Sequence, residues 1–382
     1  NVATTDFVSS PQAMKVWVNG TQANLAVAVS TFAEYTGLLS DDLMNNSSRS
    51  SKTYDQLDIL YTDNEVFKLS THIGKLLQMT EFGLNTIAPN DADTRQQELF
   101  TLRYIRAYAY ILAGENFVAL PREARGEILK SEDLLAESLQ ELSLAETLAE
   151  TAEQKALVAL FKARALRGQG LWADAATQAR QSLEYCSDYL LCVQYDALNG
   201  YNNSLHEYIA GGLFTIADQL SFEQDKFPMA DYWNQPIAIA KSEEAYLILA
   251  EAAIRATDPA DATIMAQDLA EARLQINGLS QLVSLRPAYV SLLSDVSTLT
   301  ESATDRNSML SLIYDLRQQV FFGEARRSND LGIRLPLSEV EFNEHSNLPQ
   351  AYTQAVIPAY LLSIRTEIDQ HSDISRLLVE SL

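Results

Sequence analysis

The sequence predicts a mainly all-α fold: a scaffold of tetratricopeptide-type helix pairs interrupted by long irregular insertions. The first observation is the stretch from Ala245 to Leu279, in which Tyr246, Leu249, Ala250 and Ala253 recur at i, i+3, i+4 and i+7. Thr257-Asp258-Pro259 stops that helix, and Ala262, Ala266, Leu269 and Ala270 resume the helical period, with Ala250 and Ala262 at the close packing of the pair. The second observation is that the design recurs. Ala156 to Leu183 carries Leu160, Ala163 and Leu166 on one stripe, Gly168 and Gly170 at a turn, and Trp172 and Ala175 opening a second helix. Leu99 to Gly114, with Ala107 and Tyr110, starts a third pair that Ser131 to Glu150 completes. The pairs fall near 99–150, 153–184 and 243–279, inside one domain spanning 1–382. The third observation is their spacing, 56 residues from Ala107 to Ala163 but 87 from Ala163 to Ala250. A regular solenoid keeps its period. The repeats are therefore embedded in a larger domain whose insertions carry something else.

Taken in order, the chain opens with a polar segment from Asn1 to Pro11. A helix follows through Met14, Trp17, Val18 and Leu25 to Tyr35, with a kink or short break near Gly20 and Gly37 as its C-cap. Residues 38–64 form the first loop-rich segment, holding Asp41, Asp42, Arg49, Tyr54 and Tyr61. Val66 to Ile87 is helical, and Pro89 to Thr94 turns into the first repeat. Residues 194–234 are the second loop-rich segment, dense in aromatic and amide side chains such as Tyr195, Asn199, Tyr201, Phe227, Tyr232 and Trp233. Loops of this length in a compact domain are as a rule functional or disordered. Leu279 to Asp305 is looser, Leu310 to Gly323 is helical, and the tail from Pro336 is irregular until a last helix near Ile374.

The chain has 382 residues and is 47% hydrophobic, enough for a full core. With 28 Lys and Arg against 51 Asp and Glu, its net charge of −23 repels phosphate backbones, so nucleic acid is not an expected partner. No apolar run reaches the length of a membrane span. The chain starts at Asn1 rather than Met, consistent with a processed terminus, and a lipid-bearing cysteine would lie upstream of it. Cys186 and Cys192 bracket a short bend and either close a small disulfide or remain two apolar thiols.

The motifs of common enzymes are missing. There is no Gly-Xaa-Ser-Xaa-Gly, no His-Glu-Xaa-Xaa-His, no phosphate-binding glycine loop and no dinucleotide fingerprint. His72, His206, His345 and His371 lie far apart without ligand spacing, and Asp91-Ala-Asp93 does not complete a calcium loop. No catalytic residue, metal or cofactor is expected.

Three segments in a fixed order carry a resemblance. FTLRYIRAYAYILAGENF at Phe100 is followed by Leu120-Pro121; AYLILAEAAIRATDPADA at Ala245 is followed by Ala272-Arg273 and Asn277-Gly278-Leu279; LIYDLRQQVFFGEARRSNDLG starts at Leu312. In this order the chain resembles the SusD/RagB family of outer-membrane nutrient-binding lipoproteins. It departs from the family pattern in having Phe321-Phe322-Gly323-Glu324 for the usual Phe-Glu-Gly, and Ser328 and Asn329 where an aromatic pair is common. The resemblance implies a non-catalytic, lipid-anchored protein on the bacterial outer-membrane surface. Such a protein captures an oligosaccharide, or a peptide, and delivers it to a TonB-dependent transporter of the SusC type. A second reading is a tetratricopeptide scaffold gripping a protein or peptide in its concave face. The aromatic and amide load of the insertions separates the two, because sugars need flat rings to stack on and amides or carboxylates to bond their hydroxyls.

Trp233, with Tyr232 beside it, is the leading candidate for a stacking platform. It lies in a Pro-flanked loop just before the Ala245 helix; the alternative is that it covers the end of the repeat core. From the first insertion the resemblance implies Asp41, Asp42, Arg49, Tyr54, Tyr61 and Asn64 as ligand contacts.

Overall fold

Ala13 opens a helix, α1, that runs without interruption to Leu38. A computed structural model describes residues 7–8, 10–46, 50–217, 232–256, 262–286, 295–365, 368 and 373–382. The expected break near Gly20 is absent, since the neighbours of that glycine keep their helical hydrogen bonds. Gly37 is not the cap either: the helix passes through it, and a Cβ there would come within 2.5 Å of Leu43 Cδ1. The residue is small because a strand crosses it.

That strand, β1 (Leu43–Asn45), pairs antiparallel with β5 (Phe214–Ile216), placing Leu43 opposite Ile216. Asn46 N donates to Leu213 O and Ala217 N to Asp42 O, extending the ladder at both ends. The first insertion is thus not an irregular loop. It holds a strand, a 3₁₀ turn at Ser50–Gln56 and the start of α2 (Asn64–Phe82), and it is stitched to the second insertion. Tyr35 bonds Glu65 and Trp17 Nε1 donates to Met79 O, so α2 runs antiparallel along α1 with Asn64 at the Tyr35 end.

Three helix pairs stack on one another. They are α3 (Gln96–Asn116) with α4 (Ser131–Glu146), α5 (Ala152–Gly168) with α6 (Trp172–Tyr185), and α8 (Ser242–Arg255) with α9 (Ala262–Ser284). The hairpin β2 (Ala119–Pro121) and β3 (Ile128–Lys130) joins α3 to α4. Thr151 and Gln154 form a capping box that starts α5, and Gly170 takes φ 74° in the turn to α6. Strand β4 (Leu190–Val193) leads into the second insertion and β6 (Ile237–Lys241) leads out of it, the two pairing antiparallel, while α7 (Ser204–Ala210) lies between. The stop expected at Thr257-Asp258-Pro259 lies outside the described residues. Close approach within the last pair falls at Gly278, where a Cβ would meet the Tyr246 ring at 2.5 Å. Helices α10 (Val296–Ser302) and α11 (Arg306–Phe321), then short α12 (Arg327–Asp330), α13 (Glu339–Glu344), α14 (Ala359–Leu362) and α15 (Ile374–Glu380), complete the chain.

The three sequence segments that carried the resemblance meet in one buried ionic network. Arg164 holds Glu115 through two bonds of 2.7 and 2.5 Å, Arg326 holds Glu244 at 3.0 Å, and Arg167 bridges Glu251 and Asp330 at 2.7 and 3.1 Å. Arg317 reaches the other Asp330 oxygen at 2.8 Å. Burial pushes the Glu244 carboxyl up to about 7, and the Arg164 and Arg317 charges pull it down by less. The folded protein thus binds a proton that an unfolded chain has released above the ordinary 4.5, so this group's stabilisation is present at low pH and fades as pH rises through about 7. Glu244→Gln is expected to remove that part of the decline in Tm between about pH 5 and 8. Differential scanning fluorimetry checks it: parallel wild-type and variant curves would assign the decline to another group.

Candidate functional site

The second insertion builds a cleft. Along one wall, α1 presents Asn19, Gly20 and Gln22; β4 supplies Leu191 to Val193 with Gln194 just beyond it, and the turn from Asp196 to Tyr201 forms the opposite lip. The cavity is about 650 Å³, inside the range of small-molecule sites, about 300–1,000 Å³. Gly20 stands on this wall beside open space, for a Cβ on it would meet nothing within 4 Å. Tyr104 contributes an aromatic surface at the base, and its hydroxyl is hydrogen-bonded to Gln22.

The lip is rigid for local reasons. Asp196 N donates to Tyr201 O at 2.8 Å and Tyr201 N to Asp196 O at 3.0 Å, closing a tight loop in which Gly200 adopts φ 83°. The Asp196 carboxylate accepts from Asn199 N at 3.3 Å and Asn199 Nδ2 at 2.6 Å. A carboxylate has about four acceptor positions, which leaves room for ligand hydroxyls. At the tip Leu198 is 98% exposed.

Tyr232 and Trp233 are fastened to this lip. Ala197 N donates to Asn234 Oδ1 at 2.9 Å, Asn203 N to Trp233 O at 2.7 Å, and Asn203 Nδ2 to Gln235 O at 2.7 Å. Asn203 is itself buried and caps α7 through His206 N, so the anchoring group is fixed from both sides. The two rings meet edge to face at 4.4 Å. Trp233 remains 40% exposed, so it does not serve as a buried lid on the repeat core.

The residues expected from the first insertion lie elsewhere. Asp41 is buried and fully engaged by Arg327, whose Nε and Nη2 donate to its two oxygens at 2.7 and 2.8 Å. Asp42 is buried and accepts from Gln318 Nε2 at 2.8 Å. Tyr54 is 0% exposed and packs edge to face on Tyr35. None of the three reaches a ligand, because each is committed to joining the first insertion to the helices beneath it. Tyr61 is half-buried against Phe342, and Asn64, exposed, is the first residue of α2. Both lie toward the Tyr35 end of α1, roughly 20 Å of helix beyond Gln22, away from the cleft. Arg49 falls outside the described residues, as do Phe227 and His371.

Residues that the sequence reading did not single out for ligand contact supply most of the cleft: Gln22, Tyr104, Gln194, Asp196 and Asn199, with Tyr201. A signal for part of this set was present, since Asn199 and Tyr201 stand in the amide- and aromatic-rich second insertion. Gln22 and Tyr104 had none, being ordinary members of helices. Cys192 lines the cleft as a free thiol, Cys186 is also free, and burial pushes the Cys192 thiol up to about 11. No disulfide closes the bend. Asp91 is structural, accepting from Met14 N and Asp93 N at 2.9 Å each, and among the described residues no cluster could hold a metal ion.

No protein-family model matches the sequence, and no curated protein matches it. Solved structures do match. A SusD superfamily protein from Bacteroides fragilis aligns with a TM-score of 0.67 at 15% identity, covering 90% of this chain and 99% of that one. A SusD homolog from Bacteroides thetaiotaomicron gives 0.63 at 12%, covering 87% of each chain. A SusD-like carbohydrate binding protein from Bacteroides vulgatus gives 0.59 at 15%, covering 83% and 82%. With the stacked helix pairs and the two stitched insertions, these alignments establish that the chain has the fold of the SusD superfamily over nearly its whole length.

Proposed function

We propose that the protein is a non-catalytic binding component at the bacterial outer-membrane surface, which captures an oligosaccharide and delivers it to a TonB-dependent transporter of the SusC type. The observation that carries the ligand class is the cleft itself: amides, one carboxylate and tyrosine rings around about 650 Å³, flanked by a half-exposed tryptophan on a pinned turn. Hydroxyl-rich rings need flat apolar faces together with bidentate acceptors and donors, and this lining supplies both. Likeness of fold to a carbohydrate binding protein supports the same reading. Among the described residues no helix is long and apolar enough to cross a membrane. The surface attachment in this reading is a lipid anchor, as the family resemblance implies.

The stacked pairs form the docking face for the transporter, and the insertions take the ligand. Deleting residues 47–52 is expected to leave transporter pull-down intact; loss of the partner would argue for the opposite orientation. For the ligand side, Trp233→Ala is expected to weaken oligosaccharide binding at least ~10-fold, with stability lowered by well under the 3–5 kcal/mol of a buried tryptophan. Glycan and peptide arrays, followed by calorimetry on the hits, test it. Peptide hits without glycan hits would overturn the oligosaccharide reading in favour of a peptide ligand.

A further inference from the structure

The charge around the cleft narrows the ligand class. Asp196 is the one acidic residue of the described lining, which holds no Lys or Arg. Tyr104 is raised by burial and the Cys192 thiol is pushed up to about 11, so both stand neutral there. Two cations act on Cys192 from behind the wall, and each is already neutralised: Lys241 Nζ sits 2.6 Å from Glu324, and Arg286 Nη1 3.0 Å from Glu243. The next lysine along α1, Lys15, lines a separate small hollow with Asp93, Arg95 and Glu98. The whole chain adds a background of −23.

Resting on the proposed carbohydrate reading, we infer that this cleft selects neutral sugars and rejects uronic, sialic and sulfated ones, with Asp196 as the specificity-determining residue. An anionic ring placed here would shed part of its hydration without gaining a cation, and would face the exposed Asp196 carboxylate at the lip, a repulsion that salt screens. A neutral ring meets no such cost, and its adjacent hydroxyls can donate to the free positions of the same carboxylate. One group thus both attracts diols and repels acids, which is discrimination by attraction and repulsion together.

Calorimetry on the whole chain tests it with neutral tri- to hexasaccharides of glucose, galactose, mannose and xylose, and with 3′-sialyllactose and oligogalacturonate as anionic counterparts of lactose and oligogalactose. Wild-type protein is expected to bind at least one neutral probe and to bind an anionic counterpart at least ~10-fold more weakly, a gap that salt narrows. Asp196→Asn keeps the loop-closing acceptor for Asn199 N, and is expected to shrink the gap by ~3-fold or more through improved relative binding of the anionic probe. An anionic glycan bound as tightly as its neutral counterpart overturns the inference while leaving the carbohydrate reading intact, and so does an unchanged gap in Asp196→Asn with its Tm preserved. Absence of binding to every saccharide, neutral and anionic alike, defeats the carbohydrate reading itself.

Discussion

Asp330→Ala is expected to destabilise the protein by about 3–5 kcal/mol, the cost of leaving buried charges without their partner. Asp330 receives Arg317 on one oxygen at 2.8 Å and Arg167 on the other at 3.1 Å, and all three side chains are nearly or wholly buried. Burial alone would raise its carboxyl, but the two guanidiniums outweigh that and hold it below the ordinary carboxylate value. A depressed folded-state pKa gives stability that is present above the unfolded value and lost as pH falls through the folded one. The alanine variant should therefore lose most at neutral pH and approach wild type in acid, where Asp330 is protonated in both states of the wild-type chain. Urea unfolding at two pH values measures this. Pairing Asp330→Leu with Arg317→Met, which removes charge on both sides, should recover part of the loss. A cost below about 1 kcal/mol for Asp330→Ala at neutral pH would mean that water or other groups already solvate the two arginines.

Gly20→Leu is expected to separate binding from stability. A glycine in the middle of a helix costs roughly 0.5–1 kcal/mol against a good helix former. Nothing within 4 Å opposes a Cβ at Gly20, so a leucine there should raise the melting temperature slightly while its side chain fills the cleft between Gln22 and the Asp196 lip. Oligosaccharide affinity should fall by ~100-fold or more. Gly74→Leu supplies the matched control, because Gly74 is also mid-helix, in α2, with nothing within 4 Å of its would-be Cβ and no place in the cleft. It should gain stability and bind as wild type does. Unchanged affinity in Gly20→Leu would remove the cleft from the site and leave Trp233 alone as the contact.

Much of the scaffold is legible in the sequence alone. The 3.6-residue periodicity of apolar side chains marks α3, α5 and α8 because a helix must bury one stripe, and that requirement is local in sequence. Trp233 was legible as an exposed-ring candidate, since Pro-flanked loops before a helix hold aromatic side chains in place; the structure shows the ring 40% exposed and pinned through Asn203. The fixed order of motif segments pointed to the fold, though for a reason that only their meeting in space reveals. Glu115, Glu251, Arg317, Arg326 and Asp330 belong to one buried ionic network, and all but Arg317, whose partner Asp330 is 13 residues on, pair with a residue distant along the chain.

What the tertiary structure decided is which polar side chains are spent and which are free. Asp41 and Asp42 look like ligand contacts in a loop, yet Arg327 and Gln318, almost three hundred residues away in the chain, use their carboxylates internally. Gln22 and Tyr104 look like ordinary helical residues, yet the crossing of α1 with β4 leaves them around an opening. Local pattern sets where a helix forms, since that depends on neighbours within a few residues, but α8 is buried on nearly every side, Glu244 and Glu251 included, and only partly at Tyr246 and Ala253 of its apolar stripe. Whether a charge or an amide faces solvent, a ligand or a buried partner depends on contacts made across the fold, and those appear only when the helices have packed.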